Sequence, residues 1–174
     1  MFEPLLQDYI SAASKMDHDT FCTQFKAPVL VALGNLDEES FQMARTFFIH
    51  KDAGSTGERI ANPLNHQATV FEIRQVHSRT PGEIKIGRAE ENDIVLVDET
   101  ISAHHAVIQI DERSGQCTLQ DLESTNGTWI NRSVLVPGRY TSLHDSDVLS
   151  FGEIDFLFYY PEGLYHAIKK AYHS

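Results

Sequence analysis

Cysteine, basic residues and long apolar runs are all scarce in this chain of 174 residues. Its two cysteines, Cys22 and Cys117, are too few for a disulfide framework and lack the spacing of a metal site. We therefore interpret both as buried thiols in a reducing compartment. No apolar run reaches the length that a membrane helix needs, and Glu3 and Asp8 stand where a secretory signal carries basic residues. These absences predict a cytoplasmic protein without membrane insertion.

The shortage of positive charge excludes a second set of functions. The chain has 14 Lys and Arg residues against 25 Asp and Glu residues, a net charge of −11. Nucleic acids and anionic membrane surfaces are bound by basic surfaces, so neither is an expected partner. Any anion that binds must be held by a local cluster of donors, because the field of the whole molecule repels it.

The first part of the chain mixes helical and strand patterns. Apolar residues at helical spacing predict an amphipathic helix within residues 2–13, and a second helix is predicted within residues 19–27. The apolar run at residues 29–33, bounded by proline and glycine, predicts a buried strand, and residues 40–47 predict a further helix. We expect residues 1–67 to form a mixed, helical N-terminal extension, and the apolar run favours its packing on the rest of the chain.

Residues 68–160 carry one short strand pattern after another. Apolar side chains alternate with polar ones, and turn signals such as Asn126-Gly127 separate the runs. Many short strands at near-regular spacing predict a β-sandwich. From Pro161 onward the apolar residues return to helical spacing, which predicts a short helix within residues 161–174 that docks on the sandwich.

Residues capable of polar chemistry cluster in three predicted loops. The first segment is Ile86-Gly87-Arg88, the second is Ser102-Ala103-His104-His105-Ala106, and the third runs from Asp121 to Asn131. Each segment alone is a weak signal, since Gly-Arg pairs are common and Asn-Gly is the usual hairpin turn. Their order and spacing together, G-R, then S-x-x-H-A, then D-L-x-S-T-N-G-T-x-I-N, resemble the forkhead-associated (FHA) family. The resemblance extends over residues 68–160, and residues 1–67 lie outside it.

The resemblance implies a mainly β fold and a binding function. FHA domains are sandwiches of about eleven strands that hold a phosphothreonine peptide across the loops at one end. The implied function is that of a phosphothreonine-peptide-binding adaptor in a Ser/Thr kinase pathway, with no enzymatic activity and no cofactor. Thr56 is a candidate for phosphorylation and for binding to the same pocket, in its own chain or in a neighbour.

By family position, four residues form the phosphopeptide site. Arg88 supplies a charge-assisted hydrogen bond to the phosphate and Ser102 donates its hydroxyl to the same group. Thr125 contacts the phosphothreonine, and Asn126 bonds the peptide backbone. Four further residues support the site. Gly87 and Gly127 permit tight turns. His105 braces the loop that presents Ser102, and His104 lends a ring N–H.

The chain departs from the family pattern at Ala103. Family members usually carry Arg, Lys or Asn after the motif serine, so one phosphate-directed donor is missing here, and we expect weaker binding. This motivates an alternative, a degenerate FHA scaffold that binds protein partners without phosphate, for example in a secretion or multiprotein assembly.

The same residues also allow plainer interpretations. Arg88 could pair with a neighbouring glutamate at the surface. Ser102 and His105 could form a nucleophile and its base, but no third orienting group accompanies them. His104 and His105 do not form a metal pair, because neighbours on a strand point to opposite faces. Trp129 is predicted to belong to the core.

Overall fold

The computed structural model describes residues 4–34 and 64–172. The predicted helix at residues 40–47 and the predicted phosphorylation site Thr56 lie outside the described residues. The described helices are α1, α2 and α3, at Leu6–Lys15, His18–Gln24 and Pro161–Tyr172. Helices α1 and α3 were predicted from apolar spacing, and the helix predicted after Asp19 is α2, which begins slightly earlier, at His18. Within these residues no helix is both long and apolar enough to cross a membrane.

Eleven strands in the described part of the chain form two sheets, which confirms the predicted β-sandwich. The strands are β1 Val29–Gly34, β2 Val70–Glu72, β3 Glu83–Gly87, β4 Ile94–Val95, β5 Ala106–Ile110, β6 Cys117–Asp121, β7 Thr128–Ile130, β8 Ser133–Val134, β9 Thr141–Ser142, β10 Val148–Phe151 and β11 Ile154–Tyr159. One sheet has the order β2-β1-β11-β10-β7-β8 and the other the order β4-β3-β5-β6-β9. Neighbours pair antiparallel except β3 and β4, which are parallel.

Strand β1 lies inside the six-stranded sheet although it comes from the N-terminal part of the chain. It pairs antiparallel with β11, Val29 opposite Tyr159, and on its other side with β2, Val31 opposite Val70. The predicted strand is confirmed, and so is its packing on the rest of the chain. The division of the chain into residues 1–67, 68–160 and 161–174 stays a prediction, because it concerns what folds independently.

The central strands β1, β10 and β11 of the six-stranded sheet pack against apolar layers on both faces. Leu30 of β1 and Phe156 and Phe158 of β11 point into the core between the two sheets. Leu157 and Tyr159 point to the opposite face, where they meet the three helices in a second core. Because side chains alternate along a strand, a continuous apolar run is what a strand between two apolar layers requires. The molecule therefore has three layers, helices on one sheet and that sheet on the other.

Local signals explain where the helices of the outer layer begin. Asp17 precedes α2 and its carboxylate accepts a hydrogen bond from the backbone N–H of Thr20 at 2.8 Å, which lowers the pKa of Asp17. Helix α3 begins at Pro161, where the missing N–H costs nothing. Phe21 and Ile168 are fully buried against the sheet, so the apolar faces of α2 and α3 hold both helices on it.

The two cysteines lie in different environments. Cys117 on β6 is fully buried, and burial raises the pKa of its thiol to about 11, so it remains an inert thiol at neutral pH. Cys22 on α2 is only half-buried. The prediction of two buried thiols is therefore right for Cys117 and wrong for Cys22, which lies on the partly open side of its helix.

Candidate functional site

Arg88 directly follows β3, and its backbone ties two loops together. Its N–H donates to the carbonyl oxygen of Ser102 at 3.0 Å, and its Nε donates to the carbonyl oxygen of Ile101 at 3.2 Å. The side chain is otherwise exposed. Among the ion pairs formed by residues 4–34 and 64–172, none includes Arg88, so no glutamate within these ranges forms a surface pair with it.

Gly87 lets the β3–β4 and β4–β5 loops approach closely. A Cβ at this position would lie 2.3 Å from the carbonyl oxygen of Ala103 and 2.9 Å from Nδ2 of Asn92. Asn92 is buried, and its Nδ2 donates to the carbonyl oxygens of Ala89 at 2.8 Å and Ala103 at 2.7 Å. Sequence reasoning missed Asn92, whose only signal was an amide within an acidic loop. Its role is to hold the backbone on either side of Arg88 and Ser102.

The predicted serine and threonine lie next to each other. The backbone N–H of Thr125 donates to the Ser102 hydroxyl oxygen at 3.0 Å, and the two hydroxyl oxygens are 3.4 Å apart. Asn126 Nδ2 donates to the carbonyl oxygen of Thr100 at 2.8 Å, which joins the β6–β7 loop to the β4–β5 loop. The structure thus brings Arg88, Ser102, Thr125 and Asn126 onto three adjoining loops.

His105 is fully buried beneath these loops and braces them through both ring nitrogens. Its Nδ1 accepts from the backbone N–H of Ser102 at 3.0 Å. Nε2 therefore carries the proton and donates to the carbonyl oxygen of Gly127 at 3.0 Å, at a turn where Gly127 has φ +85°. The Ser102 hydroxyl contacts Thr125, so Ser102 and His105 lack the hydrogen bond between nucleophile and base that catalysis requires.

The ring of His105 must stay neutral to brace the site, which predicts a pH dependence of stability. Burial lowers its pKa below the ordinary histidine value of about 6.5. The unfolded chain therefore binds this proton at a higher pH than the folded chain does. The contribution of the neutral ring to stability should be fully present above pH ~6.5. As the pH drops from there toward the pKa of the folded state, the free energy of unfolding should fall by at most about 1.4 kcal/mol per pH unit for this one proton.

Urea denaturation at intervals between pH 7.5 and 5.5 measures this dependence. The window excludes most carboxylate titration. A His105→Gln variant serves as the comparison, since it lacks the titrating ring. If the variant loses stability over this window as steeply as the unchanged protein does, His105 is not the source.

His104 and Ala103 complete the serine loop. Both side chains are exposed. His104 Nδ1 lies 3.3 Å from Oδ1 of Asn92, and its Nε2 lies 3.3 Å from the carboxylate of Glu91. Donation from His104 to a phosphate therefore requires the ring to leave these contacts. Ala103 offers no donor beyond its backbone.

The β6–β7 loop is shaped by the buried carboxylate of Asp121. Its Oδ1 accepts from the hydroxyls of Ser124 at 2.5 Å and Thr128 at 2.6 Å, and its Oδ2 accepts from the N–H of Ser124 at 3.1 Å. These bonds hold the turn that presents Thr125. Trp129 is half-buried and lines an open pocket beside Asn126, so the prediction that it belongs to the core was wrong.

Comparisons with known proteins agree with the motifs. The family model of the FHA domain matches residues 84–152. An ABC transporter ATP-binding/permease protein of Mycobacterium tuberculosis is 38% identical over 78 residues, which cover 45% of this chain and 8% of that protein. An FHA domain-containing protein of Arabidopsis thaliana is 40% identical over 75 residues, which cover 42% of this chain and 19% of that protein. The chain thus spans less than a fifth of either relative.

A solved structure is also similar to this chain. The solution structure of the FHA domain of a hypothetical protein of Arabidopsis thaliana is 25% identical, with a TM-score of 0.49, and the match covers 77% of this chain and 85% of that one. The range that the family model matches contains Arg88, Ser102, Thr125 and Asn126. Residues 84–152 therefore form a forkhead-associated domain, the family that the sequence motifs predicted.

Proposed function

We propose that Arg88, Ser102, Thr125 and Asn126 bind a phosphothreonine-containing peptide and that the protein is an adaptor in Ser/Thr kinase signalling. The observation that carries this proposal is the exposed Arg88 side chain, whose Nε donates to the carbonyl oxygen of Ile101, directly before Ser102. The Ser102 hydroxyl in turn lies 3.4 Å from that of Thr125. FHA domains belong to the modules that read phosphorylated motifs through arginine, and the family is a binding module rather than an enzyme.

The chemistry of the phosphate group of phosphothreonine suits these donors. Phosphothreonine has nearly two negative charges and three oxygens that accept hydrogen bonds. The Arg88 guanidinium has donors that match a phosphate in a fork, and hydrogen bonds to a charged group are roughly twice as strong as neutral ones. The Ser102 hydroxyl can turn its proton toward the ligand, because it already accepts from the N–H of Thr125.

The surroundings set the strength of binding. The domain carries an excess of acidic residues, and the exposed side chains of Glu90 and Glu91 lie on the same loop as Arg88. Ala103 adds no donor. Since the long-range field repels a dianion, the affinity must come from the local hydrogen bonds, and we expect it to be weaker than that of family members with a basic residue after the serine.

Fluorescence anisotropy titration of a degenerate phosphothreonine peptide library tests the proposal. The matched control is the same library without phosphate. Charge-assisted hydrogen bonds contribute about 1.5–3 kcal/mol, so the phosphorylated library should bind about 10- to 150-fold more tightly.

Equal affinities for the two libraries, measured on folded protein, would contradict the proposal. That outcome would favour the scaffold without phosphate dependence, for which the exposed Ala103 is the motivating observation. Partners captured by such a scaffold should survive phosphatase treatment.

A further inference from the structure

Side chains of α2 and α3 converge on the outer helical layer, away from the phosphopeptide loops. His18 and Cys22 lie four residues apart on α2, and Glu162 and His166 lie four residues apart on α3. Residues at this spacing share one face of a helix, so each helix directs two side chains toward the other. Histidine, cysteine and glutamate are the side chains that bind zinc.

Three distances among these side chains are close to those of a metal site. Glu162 Oε1 lies 3.8 Å from His18 Nε2 and 3.9 Å from His166 Nε2, and Cys22 Sγ lies 3.7 Å from His18 Nε2. The His18, Glu162 and His166 ligand atoms all lie within 4.8 Å of one another, and Cys22 approaches this group of three through His18. A tetrahedral zinc site with bonds of about 2.0–2.3 Å places its ligand atoms about 3.3–3.6 Å apart. Shifts of a few tenths of an ångström would bring these three distances into that range.

A second contact orients His18 as a ligand. Its Nδ1 lies 2.9 Å from a carboxylate oxygen of Asp19. A carboxylate accepts hydrogen bonds, so Nδ1 carries the proton and the lone pair of Nε2 faces Glu162 and Cys22. Zinc-bound histidines almost always donate their other ring N–H to such a group, which fixes the tautomer and makes the ring a better ligand.

Two of the four residues are exposed to solvent and the other two are partly buried. The side chains of Glu162 and His166 are 70% and 64% exposed, whereas that of His18 is 37% exposed and Cys22 is half-buried. An ion can therefore enter from solvent on the side of Glu162 and His166.

We propose that His18, Cys22, Glu162 and His166 bind one Zn²⁺ ion that joins α2 to α3. Two nitrogen ligands, one oxygen and one sulfur form the mixed tetrahedral set that suits zinc, and four protein ligands leave no position open for catalysis. The Cys22 thiol loses its proton to solvent when its sulfur binds the ion. The site shares no residue with Arg88 and its neighbours, so it does not depend on the phosphopeptide proposal.

The first test uses the chain of 174 residues without an affinity tag, stripped of metal by a chelator that is then removed. Equilibrium dialysis should find one Zn²⁺ per chain. Because zinc would hold the two ends of the described chain together only in the folded state, it should raise the melting temperature by about 5–10 °C at a hundredfold excess over Kd. An unchanged melting temperature, or binding of less than half an ion per chain, would overturn the proposal.

Variants locate the ion. His166→Ala and Cys22→Ser should each lose most of the melting-temperature rise, and His144→Ala should keep it. His144 is a matched control, because it is also an exposed histidine beside a carboxylate, 3.8 Å from that of Asp147. Equal zinc effects in His166→Ala and the unchanged protein would place the ion elsewhere and overturn the site.

Substitution of Co²⁺ for Zn²⁺ tests the sulfur ligand directly. Tetrahedral Co²⁺ bound to a thiolate absorbs in the visible range and shows a sulfur-to-metal charge-transfer band in the near ultraviolet. The unchanged protein should show both features, and Cys22→Ser should lose the charge-transfer band. A protein that binds Co²⁺ without this band would overturn the role of Cys22.

Discussion

Replacing Arg88 with alanine is expected to weaken phosphopeptide binding about 10- to 150-fold, the loss that follows from a charge-assisted hydrogen bond of about 1.5–3 kcal/mol. The guanidinium is exposed and none of the described ion pairs includes it, so its removal should change the free energy of unfolding little. Anisotropy titration measures the first quantity and thermal unfolding the second.

Two further variants separate the local site from net charge. Arg113→Ala removes the same charge from an exposed arginine in the β5–β6 hairpin, at the opposite end of β5 from Ser102, and should leave the affinity nearly unchanged. Arg88→Lys keeps the positive charge but loses the two parallel N–H donors of the guanidinium. Its affinity for the phosphopeptide should therefore fall between those of Arg88→Ala and Arg113→Ala. If Arg113→Ala weakens binding as much as Arg88→Ala does, net charge rather than the site decides the affinity.

The sequence predicted the members of this site because they belong to a motif with fixed spacing. Arg88, Ser102 and Thr125 come from three segments whose order identified the family, and the structure places them side by side. Asn92 could not be found in the same way, because its burial depends on how two loops meet. Trp129 was misjudged because β7 lies near the edge of its sheet, where a side chain can be half-open to solvent.

The fold was predictable element by element but not in its long-range pairing. The apolar run of β1 predicted a buried strand, since both faces of such a strand meet apolar layers. Nothing in the run identifies β2 and β11 as its neighbours, because pairing depends on residues far away in the chain. The contact between His18 and Glu162 could not be predicted from the sequence for the same reason.

A chain that begins at Ala68 is expected to lose cooperative folding. Such a chain lacks β1, which separates β2 from β11 in the six-stranded sheet, and it lacks α1 and α2, which cover that sheet. Two strands then keep unpaired edges and an apolar face is left open to water. Near-ultraviolet circular dichroism and urea denaturation of this chain should show weak tertiary signal and no sharp transition.

A single substitution tests the same strand without truncation. Leu30 is fully buried between the two sheets, so Leu30→Ala should lower the free energy of unfolding by about 2–5 kcal/mol. Val136→Ala is the control, because Val136 is 63% exposed and its change should cost less than about 0.5 kcal/mol. A chain starting at Ala68 that unfolds cooperatively, together with a small effect of Leu30→Ala, would show that the strands from residue 68 onward fold without β1.

The position of β1 also dictates an order of events during synthesis on the ribosome. Strand β1 is made before all the other described strands, whereas its neighbour β11 is made after them. The five-stranded sheet, by contrast, is built entirely from residues between β3 and β9 and is complete earlier. A nascent chain therefore already contains the five-stranded sheet next to Arg88 and Ser102 while β1 still lacks its neighbour β11. Because unpaired apolar strands are prone to aggregate, the chain is exposed to self-association until β11 has been made and pairs with β1.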